Sequence, residues 1–243
     1  MDKQIIILAA GKGSRMNSEL PKVMHKVGGT PMLERVMHNC KMVTDNLILV
    51  YSQHLEPYLS RFEQNCKLIN QKEQLGTAHA VAVAKDLFDD QQYIGVIYGD
   101  NPLITSDIIE DLFKHLKNTN SKAVTLAFEY EKENQYGRII VDKQGNFKKI
   151  VETKFANDLE KKITLCNSGI MAFAPGILGQ YIDKCLVADL ENPKKELYLT
   201  EIIEICSAHG EKVSYFKSND HKLVVGVNTQ DELASANSII GKN

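Results

Sequence analysis

Gln4-Ile-Ile-Ile-Leu8-Ala-Ala-Gly11-Lys-Gly-Ser-Arg15-Met-Asn-Ser-Glu-Leu-Pro-Lys22 begins as a β-branched apolar run and then loses all bulk. The first five residues read as a buried strand. No side chain after Leu8 is both apolar and large enough to pack until Met16. Gly11 and Gly13 carry no Cβ, so the backbone there can turn tightly and approach a ligand closely. Lys12, Arg15 and Lys22 place three cations in an eleven-residue span just past a strand's carboxyl end, where open α/β sheets hold their ligands. Backbone N–H groups together with fixed cations are what a polyphosphate needs. Two familiar phosphate loops do not fit. A Walker A loop needs G-x-x-x-x-G-K-[ST], a spacing that the glycines around Lys12 do not meet; the dinucleotide fingerprint needs a small residue where Met16 stands. On this loop alone, a Gly-rich turn with solvated cations is the plain alternative.

The totals narrow the class. At 243 residues, 43% hydrophobic and 25% charged, the chain can bury a substantial core. A net charge of −2 gives no general attraction to nucleic acid, so a polyanion must be held by a local cationic site. No apolar run reaches the length of a membrane span, and Met1-Asp2-Lys3 leads into a short strand rather than a signal peptide. Cys40, Cys66, Cys166, Cys185 and Cys206 lie far apart within apolar patterns, which predicts buried free thiols in a reducing cytoplasm.

Beyond the loop, strands at 47–51, 67–70, 93–98 and 123–128 alternate with helical patterns at 31–40, 55–64, 77–88 and 106–116. That rhythm predicts a mostly parallel sheet covered on both faces. After Phe128 it changes: short strands at 138–141 and 147–151 flank Gly145-Asn146, a hairpin signal, and another strand follows at 167–173. This reads as a smaller β-rich lobe beside the sheet. Helices at 175–185 and 199–208, strands near 213–216 and 223–225, and a helix at 231–240 complete one compact α/β domain.

Several short motifs carry chemistry. Gln71-Lys-Glu-Gln-Leu-Gly76-Thr77-Ala-His follows a strand, and on its own it reads as a helix capped by Thr77. Tyr98-Gly-Asp100-Asn-Pro-Leu closes the most apolar strand. A carboxylate there is either a turn residue or a magnesium ligand, since Mg²⁺ takes one or two carboxylates and fills its shell with phosphate oxygens and water. Tyr136-Gly137-Arg, Ile150-Val-Glu152, Asn167-Ser-Gly and Gly226-Val-Asn228-Thr are individually weak: a turn glycine, a surface carboxylate, a strand amide and a helix cap.

Taken in order, these segments resemble the sugar-nucleotide pyrophosphorylases, and among them the bacterial N-acetylglucosamine-1-phosphate uridyltransferases. L-A-A-G-x-G-x-R-M with P-K, Q-x-x-Q-L-G-T-A-H and Y-G-D-x-P-L carry the resemblance, which runs from Ile5 to about Ile240. It implies a GT-A-like (Rossmann-like) nucleotidyltransferase fold and a cytoplasmic, Mg²⁺-dependent enzyme of peptidoglycan-precursor synthesis. That enzyme would join UTP to N-acetylglucosamine 1-phosphate. The implied catalytic cations are Arg15 and Lys22. Nucleotide contacts fall on Leu8, Ala9, Ala10, Gly11, Gly13, Lys22, Gln71, Gly76 and Thr77. Sugar contacts fall on Tyr98, Gly137, Glu152 and Asn167, and the metal on Asp100 and Asn228. Two positions depart from the pattern: Asn101 replaces a usual apolar residue, expected to matter little, and Phe155 replaces an Asp after Lys154. The resemblance covers the uridyltransferase half of a bifunctional enzyme, with residues 1–228 as the catalytic domain and 229–243 where its linker would begin. The hexapeptide repeats of the left-handed β-helix acetyltransferase half are not in this sequence. Nucleic acid and membrane are not expected as partners, and a homo-oligomer is left open. The alternatives are a nucleotidyltransferase for another sugar or polyol phosphate and a non-catalytic module of the same fold.

Overall fold

A computed structural model describes residues 1–132, 134–187 and 196–241. In chain order the strands are β1 (Lys3–Ala9), the two-residue arms β2 (Lys26–Val27) and β3 (Thr30–Pro31), β4 (Leu47–Tyr51), β5 (Lys67–Asn70) and β6 (Tyr93–Tyr98). They continue as β7 (Ala123–Glu129), β8 (Arg138–Val141), β9 (Phe147–Val151), β10 (Leu165–Phe173) and β11 (Val213–Lys217). The helices are α1 (Met32–Lys41), α2 (Thr77–Ala82), α3 (Ser106–Asn118), α4 (Ile177–Val187), α5 (Glu201–Ala208) and α6 (Gln230–Ile240).

β1 is the spine. It pairs in parallel with β4 on one side and β6 on the other, and the sheet runs β11-β7-β10-β6-β1-β4-β5. Its residues divide by parity between two cores. Ile6 and Leu8 pack under α2, α4 and α5, while Ile5, Ile7 and Ala9 pack under α1 and α3. Burial on both faces is why the strand is an unbroken apolar run instead of an alternating one. Its one buried polar side chain is satisfied: the Gln4 amide donates to Asn46 Oδ1 and the Leu87 carbonyl and accepts from the Asp89 N–H.

The expected class, a mostly parallel α/β sheet flanked by helices, is the one observed. Of the seven strands on the main path only β10 runs against the others, antiparallel to both β6 and β7. The expected smaller β-rich lobe is built onto this strand. The β8–β9 hairpin is joined to β10 through the Arg138–Cys166 pair and so extends the central sheet. Its turn places Gly145 at φ +82°, with the Asp142 carboxylate accepting from the Gln144 and Asn146 N–H groups.

Three local expectations also change. Residues 53–61 form a 3₁₀ segment, because Pro57 removes a helical donor. The expected helix at 77–88 stops at Ala82, and a 3₁₀ turn at Lys85–Leu87 follows, where Gln4 draws the chain onto the start of β1. Residues 223–225 make no strand. The Asp220 carboxylate caps a 3₁₀ turn by accepting from the Lys222 N–H, and the Val224 carbonyl accepts from the side chain of Asn101. At α6, Thr229 and Glu232 form a reciprocal capping box, which sets where the chain just before it points. No helix among the described residues is long and apolar enough to cross a membrane.

All five cysteines are free thiols; four are buried and Cys66 is half-buried. Burial pushes Cys66 up to about 11 and Cys185 and Cys206 up to about 12. The thiolate is the reactive form, so a raised pKa leaves little of it at pH 8. A disulfide-exchange reagent at pH 8 is expected to label Cys66 first and slowly, with its rate rising as pH approaches 11. Immediate labelling of several thiols in native buffer would contradict the packing described here.

Candidate functional site

The carboxyl ends of β1 and β6 lie side by side, with Leu8 paired to Tyr98, and open onto a cleft of about 530 Å³. Ala9, Ala10, Gly11, Lys12 and Arg15 enter it from the loop after β1, while Tyr98, Asp100 and Asn101 enter from the end of β6. Gly13 does not line it and serves beneath it. Its φ is +64°, and a Cβ there would lie 2.5 Å from Cβ of Lys22, so only glycine lets the loop close over Lys22.

Four polar side chains converge at the mouth. The Lys22 ammonium bonds the Asp100 carboxylate and donates to Asn228 Oδ1 at 3.1 Å; Arg15 Nη2 donates to the same oxygen at 3.1 Å. Backbone fixes the acceptors. The Asp100 carbonyl accepts from the Val227 N–H at 2.8 Å, and Asn101 Nδ2 holds the Val224 carbonyl at 2.9 Å. Asn101, whose polarity was expected to matter little, thus ties the loop carrying Asn228 to the loop carrying Asp100. The Asn228 N–H donates to Glu232, so the α6 cap helps aim this side chain. A carboxylate and an amide oxygen closing on one cation form a hard-oxygen donor set, which fits a divalent ion such as Mg²⁺. Among the described residues, no three His, Cys, Asp or Glu side chains gather as a metal cluster.

On the opposite wall, Gln71 is buried, and its Nε2 donates to the Gly76 carbonyl at 3.0 Å and sits 3.1 Å from His79 Nδ1. Gly76 has φ +121°, and a Cβ on it would lie 2.4 Å from the Leu197 carbonyl oxygen and 2.5 Å from its nitrogen. Thr77 is not the helix cap: Gly76 holds that position, and the Thr77 hydroxyl accepts from the Leu199 N–H at 2.9 Å. The 196–200 segment therefore closes this wall, and Glu196 reaches the cleft.

Gly137, Glu152 and Asn167 meet one another but do not line this cleft. The Gly137 carbonyl accepts from the Asn167 N–H at 2.8 Å, and a Cβ at Gly137 would meet the Ile150 side chain at 3.1 Å and the Glu152 carboxylate at 3.5 Å. Asn167 Oδ1 faces inward, accepting from the Thr125 hydroxyl at 2.5 Å and the Gly169 N–H at 3.1 Å. Glu152 accepts from Thr200 at 2.8 Å and opens onto a neighbouring cavity of about 510 Å³. Burial raises its pKa above the usual carboxylate value, against the lowering effect of Thr200 and Lys154. Tyr98 lines the first cleft, its ring packed against Gly169. Burial drives its phenol well above the ordinary range, with Asp100, Glu152 and Glu196 adding to the rise and a bond to Thr77 opposing it.

Sequence reasoning missed Tyr136. It lines the cleft together with Gly226, and burial raises its pKa. No local pattern announces a neighbour ninety residues along the chain. Ser168, Gln74 and Gly226 also reach the lining, brought there by tertiary contact.

Residues 5–189 match the family model described as MobA-like NTP transferase domain. The chain is 38% identical over 236 residues to the bifunctional protein GlmU of Desulfotalea psychrophila, covering 96% of this chain and 68% of that protein. Against the GlmU of Lactococcus lactis subsp. lactis, identity is also 38%, over 97% of this chain and 51% of that protein. The chain thus spans about two thirds of the length of the first of these curated relatives and about half of the second. A solved structure described as a glucose-1-phosphate thymidylyltransferase from Bacillus anthracis superposes with a TM-score of 0.76 at 20% identity, covering 98% of this chain and 94% of its own. A 4-diphosphocytidyl-2C-methyl-D-erythritol synthase from Anaerococcus prevotii superposes with a TM-score of 0.69 at 18% identity, covering 99% and 98%. At those identities the two structures speak for the fold.

Proposed function

This chain belongs to the family of MobA-like NTP transferase domains and is a nucleotidyltransferase, and from that premise we propose that it transfers a uridylyl group from UTP to N-acetylglucosamine 1-phosphate. The observation that carries the reading is the convergence of Arg15, Lys22, Asp100 and Asn228 at the ends of two central strands, over a glycine loop. Residues 1–228 are assigned to the transferase unit and 229–243 to the start of a linker. UTP as donor places the reaction in the cytoplasm.

A phosphate oxygen of the sugar phosphate attacks the α-phosphorus of UTP in line. One P–O bond forms, the bond to the bridging oxygen of the β-phosphate breaks, and pyrophosphate leaves with the electron pair. The change is in where negative charge lies, so positioning and electrostatics dominate the catalysis. The backbone from Leu8 to Gly13 offers N–H groups to the triphosphate, and Arg15 and Lys22 hold its oxygens as charge moves onto the leaving group. A Mg²⁺ ion on Asp100 and Asn228 would neutralise and align the two phosphates. Gln71 offers uracil a donor and an acceptor on one amide, beside the backbone of Gly76 and Thr77. Glu152, Asn167, Gly137 and Tyr98 are assigned to the sugar, where a buried polar contact rejects analogues lacking its partner.

The test is pyrophosphate release with Mg²⁺, crossing UTP, CTP, dTTP and GTP against N-acetylglucosamine 1-phosphate and glucose 1-phosphate. Dominance of UTP with the acetylated sugar supports both pockets at once. A different best pair keeps the chemistry and replaces the substrates; silence from folded protein favours a non-catalytic module. Lys22→Ala is expected to lower kcat by about 10²–10³-fold, the scale of losing one charge-stabilising group, while leaving the preference for UTP over CTP unchanged. A switched nucleotide preference in that variant would overturn the division of roles.

A further inference from the structure

Beside the substrate cleft, and not part of it, lies a basic cavity of about 910 Å³ between the 130–138 segment and the 153–164 segment. At its base is Arg138, only 3% exposed. The guanidinium is unevenly satisfied. Nη1 donates to Asn134 Oδ1 at 2.9 Å and to the Tyr136 carbonyl; Nη2 reaches the Lys161 carbonyl only at 3.4 Å, and Nε has no partner. Nε and Nη2 form one edge of the guanidinium fork, the edge that grips a phosphate or carboxylate with two parallel bonds. Leaving a buried polar atom unpaired is costly, and among the described residues only His25 Nε2 and Asn70 Oδ1 share that state.

The surroundings share the sign of the charge. Lys132, Lys161 and Lys162 line the same cavity, are exposed, and have no carboxylate within salt-bridge distance among the described residues. Glu131 and Asp158 also line it, leaving the wall net positive. We propose that this cavity is a second, non-catalytic binding site for a small phosphate-class anion, gripped by the Nε–Nη2 edge of Arg138 and neutralised by Lys132, Lys161 and Lys162. The Lys161 carbonyl, at the end of a hydrogen bond, is the group that gives way, and it sits in a short exposed 3₁₀ turn, Glu160–Lys162.

Occupancy reaches the substrate cleft through one residue. Arg138 and Thr153 both bond the Tyr136 carbonyl, and the side chain of Tyr136 lines the cleft together with Gly226, two residues before Asn228. An anion that fixes Arg138 therefore stiffens the 134–138 segment that carries Tyr136 into the cleft. The site stands on this geometry whatever nucleotide or sugar the cleft takes.

The probe is inorganic phosphate, titrated calorimetrically into the Arg15→Ala/Lys22→Ala protein so that the substrate cleft contributes little. One equivalent should still bind. Adding Lys161→Ala/Lys162→Ala should weaken it by about tenfold or more, as expected when charge-assisted contacts are lost. Those lysines are exposed, so the fold should survive their removal; Arg138→Lys, which keeps the charge but loses the fork, should weaken binding too. Amide exchange across 134–138 should slow on adding phosphate. No binding at millimolar phosphate, or binding indifferent to all three substitutions, would overturn the proposal and leave Arg138 a structural tie alone.

Discussion

Asp100→Ala is expected to release pyrophosphate at least about a thousandfold more slowly than the unaltered chain, the loss that follows when a group anchoring the charge-stabilising centre is removed. The side chain is the only part of Asp100 at risk. Its backbone carbonyl keeps the Val227 N–H, and Asn101 keeps Val224, so the two loops should stay joined. Lys22 loses its carboxylate but retains Asn228 Oδ1 at 3.1 Å. The stability cost should be about 1–2 kcal/mol, that of one charged hydrogen bond in a partly open site. Circular dichroism with a thermal scan reads the fold, and a coupled pyrophosphate assay reads the rate. A folded variant within about tenfold of the parent rate, a barrier change near 1.4 kcal/mol, would remove Asp100 from the reaction centre.

Gly76→Ala carries the largest expected stability loss. At φ +121° and ψ −178° the backbone occupies a region that L side chains avoid. The new methyl would also sit 2.4 Å from the Leu197 oxygen. That backbone cannot step aside cheaply, because the Leu197 N–H donates to Leu75 and its carbonyl accepts from Ala78. Strain and displacement together should cost about 3 kcal/mol or more, a melting temperature lower by about 6–12 °C for a domain of this size. Nucleotide affinity should fall with it, since Gln71 holds its donor on the Gly76 carbonyl. A melting curve within 1 °C of the parent, about 0.3 kcal/mol, would show that the close approach to Leu197 is not what locks this wall.

Which parts of the fold were legible follows from how each is held. β1 and β6 are buried on both faces and so write themselves as continuous apolar runs; β8 and β9 flank a turn glycine, and their limits agree residue for residue. How the β-rich lobe attaches was not legible, because it depends on β10, which lies between two strands that precede it in sequence by forty to seventy residues. Thr77 looked like a cap because local chemistry favours it; the pull came instead from Leu199, a partner no local window contains. Similarly, Asn101 bonds a residue 123 positions away, and Tyr136 meets Gly226 in the cleft lining. In the site, the residues expected to meet nucleotide and metal line one cleft, with Gly13 beneath it. Gly137, Glu152 and Asn167 form a neighbouring cluster whose amide oxygen and carboxylate already hold internal partners.

The late, reversed strand β10 bears on how the chain emerges from a ribosome. β6 and β7 are made before it, yet neither can pair with the other; each waits for the same missing partner. Until residue 173 is out, both present an unpaired edge of Val, Ile and Phe residues, the kind of template on which nascent chains associate. The half containing the phosphate loop, β1, β4, β5 and β6, can assemble earlier because its parallel contacts lie within the first hundred residues. Synthesis should therefore pass through a window in which one wall of the cleft exists and the sheet behind it does not, and the length of that window is set by how long 129–165 takes to translate.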